Sequence, residues 1–167
     1  MAYAIRPATP ADAETILRFI TELAVYEKAG HEVEATAETV ASSLFGPKSV
    51  TRALICETEN GEPAGFAVFF MSYSTWQARN GLYLEDLYVT PAHRGGGAGK
   101  LLLRHLARIA VEEGCGRFEW SVLDWNEPAI RVYEAIGAEP QSEWIRYRLS
   151  GDRLKAFAEG RDLRPEA

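Results

Sequence analysis

His93-Arg94-Gly95-Gly96-Gly97-Ala98-Gly99-Lys100 decides the fold: four glycines in five positions, flanked by Arg94 and Lys100. It lies between an alternating apolar run, Leu82 to Val89 (LYLEDLYV), and a leucine-rich run, Leu101 to Val111 (LLLRHLARIAV). Glycines where a strand hands over to a helix let backbone amides approach and surround an anion. The new helix adds unpaired N–H groups and the positive end of its dipole. A turn that only reverses direction seldom needs so many glycines, so a phosphate is the expected guest. A P-loop requires glycine where Arg94 stands and a Ser or Thr where Leu101 stands. A G-x-G-x-x-G fingerprint fails as well, because its third glycine falls on Lys100 or Leu102.

Outward from this loop the chain reads as one alternation of strands and helices. Ala4 to Arg6 is a short strand, and Thr9-Pro10-Ala11-Asp12 supplies a cap, a first-turn proline and an early acid. Ile16, Phe19, Ile20 and Leu23 then recur at helical spacing, and Thr36 to Leu44 gives a second helix before Gly46-Pro47. The period changes to two for Thr51 to Glu57 and Ala64 to Tyr73, joined at Asn60-Gly61, and again for Leu82 to Val89. The helix after the glycine loop carries Leu102, Leu106 and Ile109 and stops at Gly114. Arg117 to Val122 predicts a strand, Asn126 to Gly137 a helix with Pro128 in its first turn, and Trp144 to Leu149 a last strand. The expected fold is α/β: a mixed sheet with helices on its faces, in one domain over residues 1–167, with a polar tail from about Gly160.

Composition narrows the function. A chain of 167 residues, 47% hydrophobic and 25% charged, has the size and balance of one domain, and its net charge of −6 suits a cationic ligand better than nucleic acid. The apolar run Ala64 to Met71 is too short to span a bilayer, and MAYAIRP has no signal-peptide character, so a cytoplasmic protein without membrane partners is expected. Cys56 and Cys115 fit no metal spacing and no disulfide framework, and His31, His93 and His105 are scattered; no metal is expected.

The spacing that remains, Arg94-x-x-Gly97-x-Gly99, resembles the R/Q-x-x-G-x-G/A segment with which the GNAT acetyltransferase superfamily holds the pyrophosphate of acetyl-CoA. The second signature of that superfamily is matched by Asn126-Glu127-Pro128-Ala129-Ile130-Arg131-Val132-Tyr133-Glu134-Ala135-Ile136-Gly137. The resemblance reaches the spermidine/spermine (diamine) acetyltransferases through IRPAT, ELAVYE (Glu22 to Glu27), YSTW (Tyr73 to Trp76), LYLEDLYV and VLDWNEPAIRVYEAIGA (Val122 to Ala138). Ser74-Thr75-Trp76 and Leu123-Asp124-Trp125 are nearer the branch linked to thialysine than the polyamine branch, which typically carries an acid at the place of Ser74. The resemblance implies the GNAT acyl-CoA N-acyltransferase fold, a central, mostly antiparallel mixed sheet flanked by helices. It also implies acetyl-CoA as co-substrate and a homodimer.

The chemistry follows from the substrate. An alkylammonium, with an ordinary pKa of about 10.4, must lose a proton before it attacks a thioester. Glu85 lies on the strand that the superfamily places beside the thioester and is the expected base, acting through water. Strand alternation puts Glu85 and Asp86 on opposite faces. Backbone N–H groups around Leu87, Tyr88 and Val89 would meet the oxyanion if the strand bulges. Tyr133 is the family-matched acid for the departing thiolate. The resemblance places acetyl-CoA on Leu87 to Val89, on Arg94, Gly95, Gly96, Gly97, Ala98, Gly99 and Lys100, and on Asn126, Pro128 and Ala129. It places the amine on Tyr26, Glu27, Ser74, Thr75, Trp76, Glu85, Asp86, Leu123, Asp124 and Trp144, carboxylates and aromatic faces suited to an ammonium. The expected activity is direct acetyl transfer to a small amine in a ternary complex. Acetylation of proteins or peptides, and a non-catalytic CoA sensor, are the alternatives.

Overall fold

Period-two patterning and two tight hairpins build the sheet. The computed structural model describes residues 2–161, so the polar tail expected from about Gly160 lies, beyond Arg161, outside the described residues. These residues form two compact units that divide after Leu123.

In the first unit, β1 (Tyr3–Pro7), β2 (Thr51–Thr58), β3 (Pro63–Ser74), β4 (Arg79–Val89) and β5 (Phe118–Trp120) form one sheet in the order β1-β2-β3-β4-β5. Three pairings are antiparallel, and β5 joins β4 in parallel over Leu82 to Leu84 alone. The sheet is thus mixed and mostly antiparallel, as expected. The turn after β2 carries Gly61 at φ 77°, as Asn60-Gly61 leads one to expect.

Each face of the sheet is closed by helices. The helix α1 (Ala13–Tyr26) presents Ile16 and Phe19, and α2 (Ala37–Phe45) presents Val40, to Ala53, Ile55, Phe66, Val68 and Tyr88. These residues share one face because the ladder pairs Ile55 with Phe66 and Phe66 with Tyr88. Burial of this stripe drives the packing, at roughly 25 cal/mol per Å² of apolar surface. The helix α2 begins with a reciprocal threonine cap, Thr39 N donating to Thr36 Oγ1 at 3.1 Å and Thr36 N to Thr39 Oγ1 at 2.9 Å. The opposite face receives α3 (Ala98–Glu112), whose Leu102, Leu103 and Leu106 are buried. A Cβ at Gly99 would meet Val89 Cγ2 at 3.7 Å and Leu87 Cδ2 at 3.9 Å, so the first turn of α3 sits directly on β4.

A partly buried ion pair ties β1 to the start of α1. Arg6 donates to both carboxylate oxygens of Asp12, at 2.8 and 2.9 Å, and to Glu57 at 3.0 Å. Thr9 N also donates to Asp12, at 2.8 Å. The guanidinium and this amide hold the Asp12 carboxyl below the usual range, and the Arg6 pKa is raised in return.

The second unit holds α4 (Glu127–Ala135), with Pro128 in its first turn, and α5 (Gly151–Ala158). Asn126 precedes α4 without a side-chain cap bond, and Gly137 follows it at φ 88°. The strand expected over Trp144 to Leu149 does not form. That segment is irregular and exposed, Tyr147 reaching 92%, because an alternating apolar run becomes a strand only where another strand accepts its hydrogen bonds. The helix α5 escaped the sequence reading, although Asp152 in its first turn, Leu154 with Phe157, and Gly160 at φ 81° are its signals.

Candidate active site

The ladder along β4 slips at the place where its acids lie. Ala67 pairs with Leu87 and Val68 with Asp86, yet Phe69 pairs with Leu84, leaving Glu85 as an extra residue without a partner. This β-bulge moves Leu84 to the α3 face and Asp86 to the α1 face, so plain alternation between Glu85 and Asp86 does not apply. Glu85 is exposed and Asp86 half-buried. Burial, reinforced by the charges of Glu85 and Glu27, pushes the Asp86 carboxyl up to about 6. Glu27, at the end of α1, is itself raised by burial. Three of the acids expected around the amine are therefore brought together, the charges of Glu85 and Glu27 both opposing ionisation of Asp86. A cation entering among them would offset those charges.

The bulge coincides with an opening in the sheet. β5 stops pairing at Leu84, so from Asp86 to Val89 the strand has a ladder partner only on the β3 side among the described strands. Its other edge therefore carries no further strand among them, the kind of edge to which an extended ligand can pair. Leu87 and Val89 point to the start of α3, whereas the Tyr88 side chain is buried toward α1 and donates to Glu22 at 2.8 Å. Only the backbone of Tyr88 is left for a cofactor.

At the end of this edge lies the glycine loop. Gly95 and Gly97 adopt φ of 79° and 89°, left-handed values that a side chain resists, and Gly97 caps α3. The amides of Ala98, Gly99 and Lys100 begin a helix of 15 residues and so have no acceptors within it. Together with the loop they present unpaired N–H groups in one place, an arrangement that suits an anion. The Arg94 side chain turns back from this site: its Nε donates to Val89 O at 3.0 Å, and its guanidinium lies 5.4 and 5.5 Å from the rings of Tyr26 and Tyr88. It thereby links the loop to the end of α1, where Tyr26 and Glu27 stand.

Other expected residues are placed elsewhere. Ser74 is buried and accepts from Gln77 N at 3.2 Å, which makes it part of the β3–β4 turn. Thr75 and Trp76 are exposed on that turn, Trp76 by 89%, roughly 20 Å along β4 from Glu85 at the ordinary strand rise. Leu123 ends the first unit, while Asp124, Asn126, Pro128, Ala129, Tyr133 and Trp144 belong to the second. Within that unit Tyr133 is half-buried on α4, its carbonyl accepting from Ala138 N at 3.0 Å, and Trp144 is 68% exposed. Glu22, which fixes the Tyr88 hydroxyl, went unassigned although it opens the ELAVYE stretch. Among the described residues no group of His, Cys, Asp or Glu could hold a metal ion, and no helix is long and apolar enough to cross a membrane.

Comparison with known proteins adds independent findings. Residues 18–138 match the Acetyltransferase (GNAT) family. A thialysine N-epsilon-acetyltransferase of Bos taurus is 37% identical over 164 residues, covering 92% of this chain and 96% of its own. L-Ornithine N5-acetyltransferase NATA1 of Arabidopsis thaliana is 34% identical, over 92% of this chain and 86% of its own. An integron cassette protein, VCH_CASS6, from the mobile metagenome of V. cholerae has a solved structure with a TM-score of 0.79 at 27% identity, over 95% of this chain and 99% of that one. The matched span runs from within α1 through α4, and takes in the bulged strand and the glycine loop; the chain belongs to the GNAT acetyltransferase family, and is an acetyltransferase.

Proposed function

We propose that the protein transfers the acetyl group of acetyl-CoA to the primary amine of a small cationic molecule, of the thialysine, lysine or polyamine kind, by direct attack in a ternary complex. The observation that carries this reading is the acid cluster Glu27, Glu85 and Asp86, in which burial raises Glu27 and burial with the charges of Glu85 and Glu27 raises Asp86, beside a strand edge that ends in a glycine loop suited to an anion. An ammonium is what such a cluster favours, and a pyrophosphate is what such a loop favours.

In this mechanism Asp86 and Glu27 hold the ammonium, and Glu85 takes its proton through water. The freed lone pair attacks the thioester carbon. Backbone N–H groups of Leu87 to Val89 donate to the oxyanion. Collapse breaks the C–S bond, and Tyr133 returns a proton to the thiolate, a role that rests on its place in N-E-P-A-I-R-V-Y-E. The Cys56 thiol, pushed up to about 11 by burial, is a poor thiolate source, which favours direct transfer over an acyl-enzyme. Asn126, Pro128 and Ala129 are assigned to the cofactor and Asp124, Leu123, Trp144 and Ser74 to Trp76 to the amine on the resemblance alone. The family match crosses the division after Leu123, which supports one functional domain. A cytoplasmic homodimer completes the reading.

The test is thiol release from acetyl-CoA with thialysine, ornithine, lysine, spermidine, putrescine and basic peptides as acceptors. Turnover with the amino-acid-like amines supports the reading. Acetylation of peptides alone, or CoA binding without any turnover, would replace it.

A further inference from the structure

One buried histidine lies outside the chemistry described so far. His93 is 7% exposed, immediately before Arg94 and the glycine loop. Its Nδ1 is 3.3 Å from the Tyr3 hydroxyl on β1, and the two rings meet edge to face at 5.8 Å. Its Nε2 faces Glu62 Oε1, from the β2–β3 turn, at 3.7 Å. The tautomer with its hydrogen on Nε2 suits both neighbours: Nδ1 accepts from the Tyr3 hydroxyl while Nε2–H is directed to the carboxylate. The same Tyr3 hydroxyl lies 2.9 Å from where a Cβ on Gly96 would be. Gly96, unlike Gly95 and Gly97, shows no positive φ, so its glycine is explained by this close approach. Tyr3 thus lies against His93 at the start of the loop and beside Gly96 at its middle.

A glycine loop that must present several amides to one anion gains affinity only to the extent that it already holds that shape. Each alternative conformation lowers the fraction competent to bind. Nothing in Gly95-Gly96-Gly97 itself restricts the backbone. The restraint comes from below, through a strand ninety residues away in sequence.

We propose that Tyr3 and His93 form a strap beneath the glycine loop that holds it in the shape receiving the cofactor's pyrophosphate, with both as positioning residues. This rests on the acetyl-CoA reading given above. The strap acts on cofactor binding and leaves the acid cluster of β4 and the end of α1 to act on the amine. Tyr3→Phe removes one hydroxyl while keeping the ring contact, and so preserves packing. Gly96→Ala pushes a methyl against that hydroxyl, and the double variant removes the collision.

The experiment measures CoA dissociation constants by calorimetry, with KM for acetyl-CoA, KM for the amine and kcat, for wild type, Tyr3→Phe, Gly96→Ala and the double variant. The strap predicts CoA binding about threefold to tenfold weaker in Tyr3→Phe, with KM for acetyl-CoA rising in parallel while kcat and the amine KM hold. Gly96→Ala should weaken CoA binding by a smaller factor in the Tyr3→Phe background than in wild type. Tyr3→Phe binding CoA like wild type, kcat falling with the KM terms steady, or the two substitutions multiplying independently would overturn the strap alone. Wild type failing to bind CoA would overturn the cofactor reading, and the strap with it.

Discussion

Two carboxylates, the buried Asp12 and the half-buried Asp86, show opposite solutions to one physical problem. Asp12 receives both arms of the Arg6 guanidinium and the Thr9 amide, and its carboxyl is held below the ordinary range. Asp86 lies beside Glu85 and Glu27, and its carboxyl is pushed up to about 6. Water is partly removed from both, yet only the first is compensated within the fold. The difference separates a structural clamp, joining β1 to α1, from an uncompensated acid, which the proposed function pairs with the charge of an arriving amine. The acid that costs the fold stability is the one on the bulged strand beside the glycine loop.

Breaking this comparison at Glu85 should give the largest effect. Glu85→Gln is expected to lower kcat by about 10² to 10³ while CoA binding by calorimetry is retained, since a general base contributes on that scale. Arg6→Met should then destabilise the protein by about 2 kcal/mol in urea unfolding at neutral pH, because it leaves Asp12 without its cation. The sign with pH is fixed by the lowered carboxyl: the pair's contribution is complete above the ordinary carboxylate range and is lost as pH falls through the lowered value. Arg6→Met should lose that part of the acid dependence.

Asp86→Asn tests the other half. Its folded pKa is raised, so its cost to stability is present above about 6 and is relieved as pH falls through that value. The variant should gain about 1 kcal/mol at neutral pH, with the gain vanishing in acid, and its amine KM should rise about tenfold. The smallest effect is reserved for a control. Ala78, in the β3–β4 turn, has φ of 53°, and Ala78→Gly should gain about 0.5 kcal/mol without altering either pH response.

Local features of this fold were readable from its sequence, and paired ones were not. Asn60-Gly61, the stripe from Ile16 to Phe19 and the run Arg94 to Gly99 each impose backbone geometry on their own residues, so the hairpin, α1 and the left-handed glycine turn before α3 follow directly. The bulge at Glu85 is a property of the ladder with β3, and no residue within LEDLY announces it. Trp144 to Leu149 has a strand's pattern without a strand's partner. At the candidate site, Glu85, Glu27 and the loop stand out through their motifs, but the pairing of Arg6 with Asp12 and of Tyr3 with His93 joins elements that only folding brings together.

The most direct test of the account is the pH dependence of kcat/KM for the acetylated amine, read by mass spectrometry of the product, in wild type and Asp86→Asn. The account predicts a small acetylated amine whose rate of formation falls below about pH 6 in wild type and shows no such fall in the variant. The same acid limb in both proteins, or acetyl groups appearing on peptides alone, would contradict it.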